Sequence, residues 1–247
     1  MKRFTPIFIA AALLLGVGRL QSIDLPTIPG PDDQGGMIMP MITLNGTTLN
    51  LAFNPLTVPQ LRSLSDWSPG DTFVDSASWN APLDPVDGLG SLFNNQYGFM
   101  FMANPMMGRD VIPVGRALGI RLQSRSSSLL ESWNYVNSQN RFDEVFGGIG
   151  DQVLWSGSMW HNYFTVPTSA APGTYTASFE VFVANTTFTV GTGFADYSPA
   201  ARAALADPAY SVVTFHYTWD VVPEPSVSLL AALGFLAACV RRAHREP

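Results

Sequence analysis

Apolar and polar residues alternate most regularly in two stretches of the C-terminal third, residues 174–184 and 211–220. Because successive side chains of a strand point to opposite faces of a sheet, this period of two predicts two half-buried β-strands. The predicted buried positions are Tyr175, Ala177, Phe179, Val181 and Val183 in the first stretch, and Val213, Phe215, Tyr217 and Trp219 in the second. Their polar neighbours, including Thr176 and His216, are expected to face water.

A hairpin and several shorter strands are predicted upstream. Residues 38–44 and 47–53 flank Asn45-Gly46, a dipeptide that accepts the positive φ angles of a tight hairpin turn. Further strand patterns occupy residues 97–102, 117–123, 152–155 and 162–166. Residues 69–95 contain repeated proline and glycine breaks and are predicted to be a long loop.

Two short helices are predicted. One lies within residues 56–66. The other begins at Ser198-Pro199, since serine is a good N-cap and proline suits the first helical position, and it ends at Asp207-Pro208.

Together these patterns predict an all-β fold over residues 37–222, preceded by a Pro- and Gly-rich linker at residues 19–36. The expected architecture is a single β-sandwich, immunoglobulin-like or jelly-roll-like, with one or two short helices. Residues 172–179, Pro-Gly-Thr-Tyr-Thr-Ala-Ser-Phe, resemble the strand entry of immunoglobulin-like modules in bacterial surface proteins.

The N-terminal residues 1–18 have the order of a secretory signal peptide. Lys2 and Arg3 precede an apolar stretch, and the small residues Gly16 and Gly18 predict cleavage after Gly18, with a later cut after Ser22 as the alternative. An uncleaved N-terminal membrane anchor is a second interpretation of the same stretch.

The C-terminal tail, residues 223–247, combines three features in a fixed order. Pro223, Glu224 and Pro225 come first, residues 226–240 carry no charge, and Arg241 and Arg242 follow. As a helix the uncharged stretch measures roughly 22 Å, which is shorter than a bilayer core of about 30 Å. Arginines that snorkel and local thinning of the bilayer would close the gap.

This order resembles the PEP-CTERM sorting signal of exopolysaccharide-producing Gram-negative bacteria. The resemblance implies that Pro223, Glu224 and Pro225 are the sorting motif, that residues 226–240 are a membrane helix, and that Arg241 and Arg242 are the membrane stop. It also implies export, transient residence in the inner membrane and processing by an exosortase, with delivery to the cell surface or the extracellular matrix. The chain departs from the pattern after Arg242, where Ala-His-Arg-Glu-Pro replaces a basic cluster.

The charge balance excludes some partners. Residues 23–222 contain seven arginines and 17 acidic residues, a formal charge of −10 (7 − 17), and the only lysine of the chain is Lys2. Nucleic-acid binding requires clustered cations, so no nucleic-acid partner is expected. Cys239, the single cysteine, lies in the apolar tail segment, so the exported domain forms no disulfide and depends on burial for stability.

No catalytic or zinc-binding motif of familiar spacing occurs, and no enzymatic activity or cofactor is expected. Outside the tail the histidines are His161 and His216, for which a backbone-bonded ring and a solvated surface position are the simplest interpretations. Asp32-Asp33 and Asp84-Pro-Val-Asp87 offer oxygen ligands for Ca²⁺, although neither matches an EF-hand loop.

The aromatic stretch 155–164 is the candidate binding site. Trp155, Trp160 and Tyr163 have faces that can stack on sugar rings, and His161 can supply a directional hydrogen bond. The alternative is that these aromatics belong to the core. The sequence therefore predicts an exported, non-catalytic surface or matrix protein, and the alternative is a glycan-binding or glycan-active protein of the exopolysaccharide matrix.

Overall fold

The computed structural model describes residues 36–62, 91–136, 141–188 and 193–222. In chain order its strands are β1 Met41–Asn45, β2 Thr48–Ala52, β3 Ser91–Asn94, β4 Gly98–Phe101, β5 Ala117–Arg125, β6 Glu131–Val136, β7 Arg141–Glu144, β8 Gln152–Trp155, β9 Trp160–His161, β10 Tyr163–Pro167, β11 Gly173–Ala184, β12 Ala195–Asp196 and β13 Val213–Val221. Its helical turns are a 3₁₀-helix at Pro105–Met107 and α1 at Pro199–Arg202.

The strands form three sheets with the orders β2-β1-β4-β9, β3-β10-β6-β7 and β12-β8-β5-β11-β13. Neighbouring strands run antiparallel except β1 and β4, which are parallel. The expectation of an all-β fold is confirmed.

The two strands with the clearest alternation pair directly, with Ala177 opposite Tyr217 and Phe179 opposite Phe215. Their predicted apolar positions are buried apart from Val213, which is half-buried, whereas His216 is exposed. The period of two therefore identified the core face of both strands correctly.

All three sheets contribute side chains to one core, which is dominated by aromatic rings. Phe99 of β4 lies 5.7 Å from Tyr217 of β13 between ring centroids, and Phe164 of β10 lies 4.5 Å from Trp219. Phe179 of β11 contacts both Phe99 and Phe164. Rings of the two four-stranded sheets therefore pack on the same face of the five-stranded sheet.

A second, smaller core lies on the opposite face of the five-stranded sheet. Phe182 of β11 packs there with Leu154 and with Ala201 of α1. The Ser198 hydroxyl accepts a hydrogen bond from the Ala201 amide and caps α1, as predicted, but the helix ends at Arg202 rather than near Asp207. The outer face of β11 is consequently buried at its C-terminal end.

Other expectations were wrong. Residues 56–62 of the predicted helix are not helical; Gln60 instead bridges Asp220, and Arg62 bridges Phe93. Strands β3, β6, β7, β9 and β12 were not predicted, and β3 lies inside the predicted loop. The first strand of the hairpin begins at Met41, three residues later than expected.

Several predictions fall outside the described residues. These are the signal peptide 1–18, the linker before Gly36, most of the loop 69–95 and the tail 223–247 with its predicted helix 226–240. Within the described ranges, no helix is long and apolar enough to cross a membrane.

Candidate functional site

The candidate aromatic stretch, residues 155–164, spans the end of β8, a turn, all of β9 and the start of β10. Gly157 adopts a φ of 85°, a conformation that glycine enters without steric cost, and it turns the chain back. The Trp155 indole N–H donates to the carbonyl of Ser158 at 2.8 Å across this turn. The ring of Trp155 is thereby fixed from within its own turn.

Both candidate tryptophans are core residues. Trp155 is 1% exposed and Trp160 is 2% exposed. The Trp160 indole N–H donates to Asn134 Oδ1 at 2.9 Å, and its ring centroid lies 5.5 Å from that of Phe99. Because neither ring face reaches solvent, the structure favours the core alternative over a sugar-stacking platform for these two residues.

His161 is held against the backbone of a neighbouring strand. Its Nδ1 lies 3.1 Å from the carbonyl oxygen of Asn95. Gly98 allows this approach, because a Cβ at that position would stand only 2.7 Å from His161 Nδ1. The half-buried imidazole therefore has the backbone-bonded role that is the simpler interpretation of this histidine.

Tyr163 is half-buried, and its ring packs edge-on against Phe142, with ring centroids 5.1 Å apart and an interplanar angle of 88°. The four candidate residues thus lie on consecutive strands but do not share a solvent-facing surface. Two are buried, and the other two are held by a backbone carbonyl and by a neighbouring ring.

Several ionisable groups of the described residues form ion pairs with structural roles. Arg116 pairs with Asp207 at 2.6 Å, Arg121 with Glu180 at 2.9 Å and Arg202 with Asp151 at 3.5 Å. The Ala209 amide donates to the Asp207 carboxylate, and together with Arg116 this lowers the pKa of that carboxyl.

In the described ranges, no group of three or more His, Cys, Asp or Glu side chains is arranged to hold a metal ion. The calcium candidates Asp32, Asp33, Asp84 and Asp87 lie outside them.

Two cavities were considered as ligand sites. An open groove of about 430 Å³ is lined by residues 37–39 and 53–57, among which Asn54 and Thr57 are the polar side chains. An internal void beside Phe146 and Phe179 has a volume of about 10 Å³, which accommodates at most one water molecule. Neither cavity combines an enclosed volume with several convergent polar groups.

One feature that the sequence interpretation missed is an exposed apolar loop after β4. Met106, Met107, Val111 and Val114 are all more than half exposed. The signal was present in the segment Asn-Pro-Met-Met-Gly-Arg-Asp-Val-Ile-Pro-Val-Gly at residues 104–115, which is apolar but follows neither a helical nor a strand period.

Comparison with known proteins adds no constraint, because the chain matches no protein-family model, no curated protein and no solved structure. The residues of the predicted sorting signal, Pro223, Glu224, Pro225, Arg241 and Arg242, lie outside the described ranges. A function must therefore be argued from the sequence of the two ends and from the chemistry of the domain between them.

Proposed function

We propose that this chain is an exported, non-catalytic β-domain that a C-terminal sorting signal delivers to the cell surface or the extracellular matrix. Its partners in transit are the export machinery, the inner membrane and an exosortase. The observation that carries the proposal is the position of β13, which ends at Val221, two residues before Pro223.

The end of β13 is held on both sides. Val221 pairs with Gly173 of β11, and on the other side the Asp220 amide donates to Pro59 while its carbonyl accepts from the Leu61 amide. Val222 is already 53% exposed. A processing enzyme requires an accessible, extended segment, and β13 ends at Val221, two residues before the proposed motif begins in the sequence.

The non-catalytic role rests on how the domain uses its reactive side chains. The ring of His161 faces a backbone carbonyl, and His216 lies exposed on a strand. Asp151, Glu180 and Asp207 are each paired with an arginine. These groups support the fold, and a general acid–base pair would need side chains that converge on a cleft.

For the architecture we propose a single β-sandwich. The five-stranded sheet would form one layer and the two four-stranded sheets the other, since rings from both smaller sheets pack on the same rings of β11 and β13. Immunoglobulin-like and jelly-roll-like connections both remain as alternatives.

The test is the C-terminal mass of the mature protein. The full chain is expressed in a bacterium that carries an exosortase, and surface and secreted material is analysed by intact-mass spectrometry. We expect a species that ends between Pro223 and Ser226. Recovery only of protein that retains Arg241 and Arg242 would contradict the proposal.

A matched pair of variants makes the test specific. Glu224→Ala removes the acid of the proposed motif and is expected to leave the protein in the membrane fraction. Glu246→Ala removes an acid of the same tail outside the motif and is expected to be processed as wild type.

A further inference from the structure

We propose that the exposed loop after β4 is a self-association surface that binds a second copy of this chain through a two-fold symmetric contact. The surface consists of Met106, Met107, Val111 and Val114 and is called the distal apolar surface below. This inference goes beyond the proposed function and does not depend on processing of the tail.

The surface lies near the N-terminal end of β13. Ser211, two residues before β13, donates its amide to the carbonyl of Thr47 in the β1–β2 turn, and Asp110 accepts from the Gly46 amide of the same turn. β13 then runs nine residues, roughly 27 Å, before the tail begins. The distal apolar surface is therefore far from Val221, the last residue of β13.

Two tight turns hold the apolar side chains outward. Asn104 and Arg109 exchange backbone hydrogen bonds of 2.8 and 3.0 Å, and Gly108 between them adopts a φ of 69°. The second turn is closed by a hydrogen bond that the Arg116 amide donates to the carbonyl of Pro113. Because the backbone is already fixed, little backbone conformational entropy would be lost when these residues bind a partner.

The exposure of this surface is unusual for a soluble domain. Met106 is 97% exposed, Met107 65% and Val111 58%, and Val114 is fully exposed. Four such side chains within nine residues concentrate exposed apolar area on one loop, and large exposed apolar areas mark interaction sites. Methionine is flexible and polarizable, which suits a contact between two irregular surfaces.

The charges beside the patch identify a second copy as the occupant. Among the described residues no acidic group pairs with Arg109, and the Asp110 carboxylate accepts only the Gly46 amide. In a two-fold contact every pairing occurs twice, because a residue of the first copy contacts its partner residue in the second copy and the same two residues also meet with the copies exchanged. Arg109 and Asp110 can therefore form two symmetric ion pairs around an apolar centre, although each domain is strongly acidic overall.

The experiment uses the full chain in detergent micelles with Cys239→Ser, so that an introduced cysteine is the only thiol. Met106→Cys is treated with a short bis-maleimide, and Leu56→Cys serves as the control because Leu56 is 92% exposed but lies outside the surface. We expect a cross-linked dimer from the first variant and monomer from the second. Equal yields from both would overturn the proposal.

Removal of the ion pairs tests the two-fold arrangement. Arg109→Gln in the Met106→Cys chain should raise the concentration for half-maximal cross-linking about tenfold, since two ion pairs at the edge of the contact are lost. Gln60→Glu changes the net charge by the same amount elsewhere and should have no effect. An unchanged cross-linking midpoint for Arg109→Gln would overturn the symmetric contact. If detergent instead shields the Met106→Cys thiol from maleimide, the surface binds lipid and the self-association proposal is overturned.

Discussion

At the scale of single residues, aromatic side chains with one polar atom connect the core to specific backbone and side-chain groups. The Trp160 indole bonds to Asn134, and the Tyr217 hydroxyl donates to the carbonyl of Gly98 at 2.6 Å. Such groups bury a large apolar surface and also fix the register of the element that they reach. They explain why a stretch rich in Trp and Tyr is core here although its composition also suits a sugar site.

The Trp160→Ala variant separates these two roles. Because the indole is buried, its removal leaves a cavity and an unpaired Asn134, and we expect a loss of about 3–5 kcal/mol of unfolding free energy. That is a large part of the ~5–15 kcal/mol of a typical domain, so thermal melts of the purified variant beside wild type will show it.

The control for this substitution is Met159→Ala, which truncates the adjacent, exposed side chain and should leave the melting temperature nearly unchanged. Both variants are also tested on a glycan array. An unchanged melt of Trp160→Ala together with a lost glycan signal would contradict the core assignment and support a lectin-like role.

The stacked pair Tyr97 and Tyr217 predicts a loss of stability at high pH. Their rings lie 4.1 Å apart, and burial raises the pKa of both hydroxyls, that of Tyr217 well above its ordinary value, with negative charge on Tyr97 as a second cause. The folded-state pKa lies above the unfolded-state value of about 10. The free energy of unfolding is therefore unaffected below about pH 10 and falls as the pH rises above it.

Chemical denaturation between neutral pH and pH 11 measures this effect. Wild type is expected to lose unfolding free energy steeply above pH ~10. Tyr217→Phe should start about 1 kcal/mol lower, since the Gly98 carbonyl loses its donor, and should fall less steeply. Parallel curves for the two proteins would show that Tyr217 is not the titrating group.

At the scale of elements, one of the missed strands, β6, has a polar residue at its buried position. In β6, Glu131–Val136, the buried position is Ser132, whose hydroxyl accepts from Asn162, while Trp133 is half-buried on the other face. In this strand a polar side chain, Ser132, faces the core, and the large apolar side chain of Trp133 lies on the opposite face. Sequence periodicity identifies a strand only when apolar residues face inward.

The contact between β5 and β11 depends on a glycine that periodicity does not explain. Gly119 lies opposite Phe182, and a Cβ at that position would stand 2.2 Å from the phenyl ring. The ring is fully buried, and the Arg121 guanidinium lies over it at 4.7 Å. The phenyl group therefore has little space into which it can move.

Gly119→Ala should accordingly cost about 1–3 kcal/mol of unfolding free energy, the usual effect of overpacking a dense core. Gly148→Ala is the matched control, because no atom lies within 4 Å of its added Cβ and its φ is not positive. Urea denaturation of both variants measures the difference. Equal midpoints for the two would contradict the packing argument.

At the scale of the whole molecule, the two ends of β13 have different chemistry. One end leads within two residues into Pro223, and the other lies near the turn of Gly46, which Asp110 links to the distal apolar surface. The sorting proposal and the self-association proposal thus concern opposite ends of one domain and can fail independently.

The sequence by itself determined what depends on local pattern. The hairpin at Asn45-Gly46, the core faces of β11 and β13 and the cap of α1 follow from turn chemistry, period-two alternation and N-cap preference, which act between near neighbours in the chain. The tertiary structure decided what depends on distant partners. Trp160 is core because Asn134 and Phe99 lie beside it, and residues 59–61 are extended because they pair with Asp220. No local pattern specifies such pairings, because the atoms that satisfy these groups lie tens of residues away.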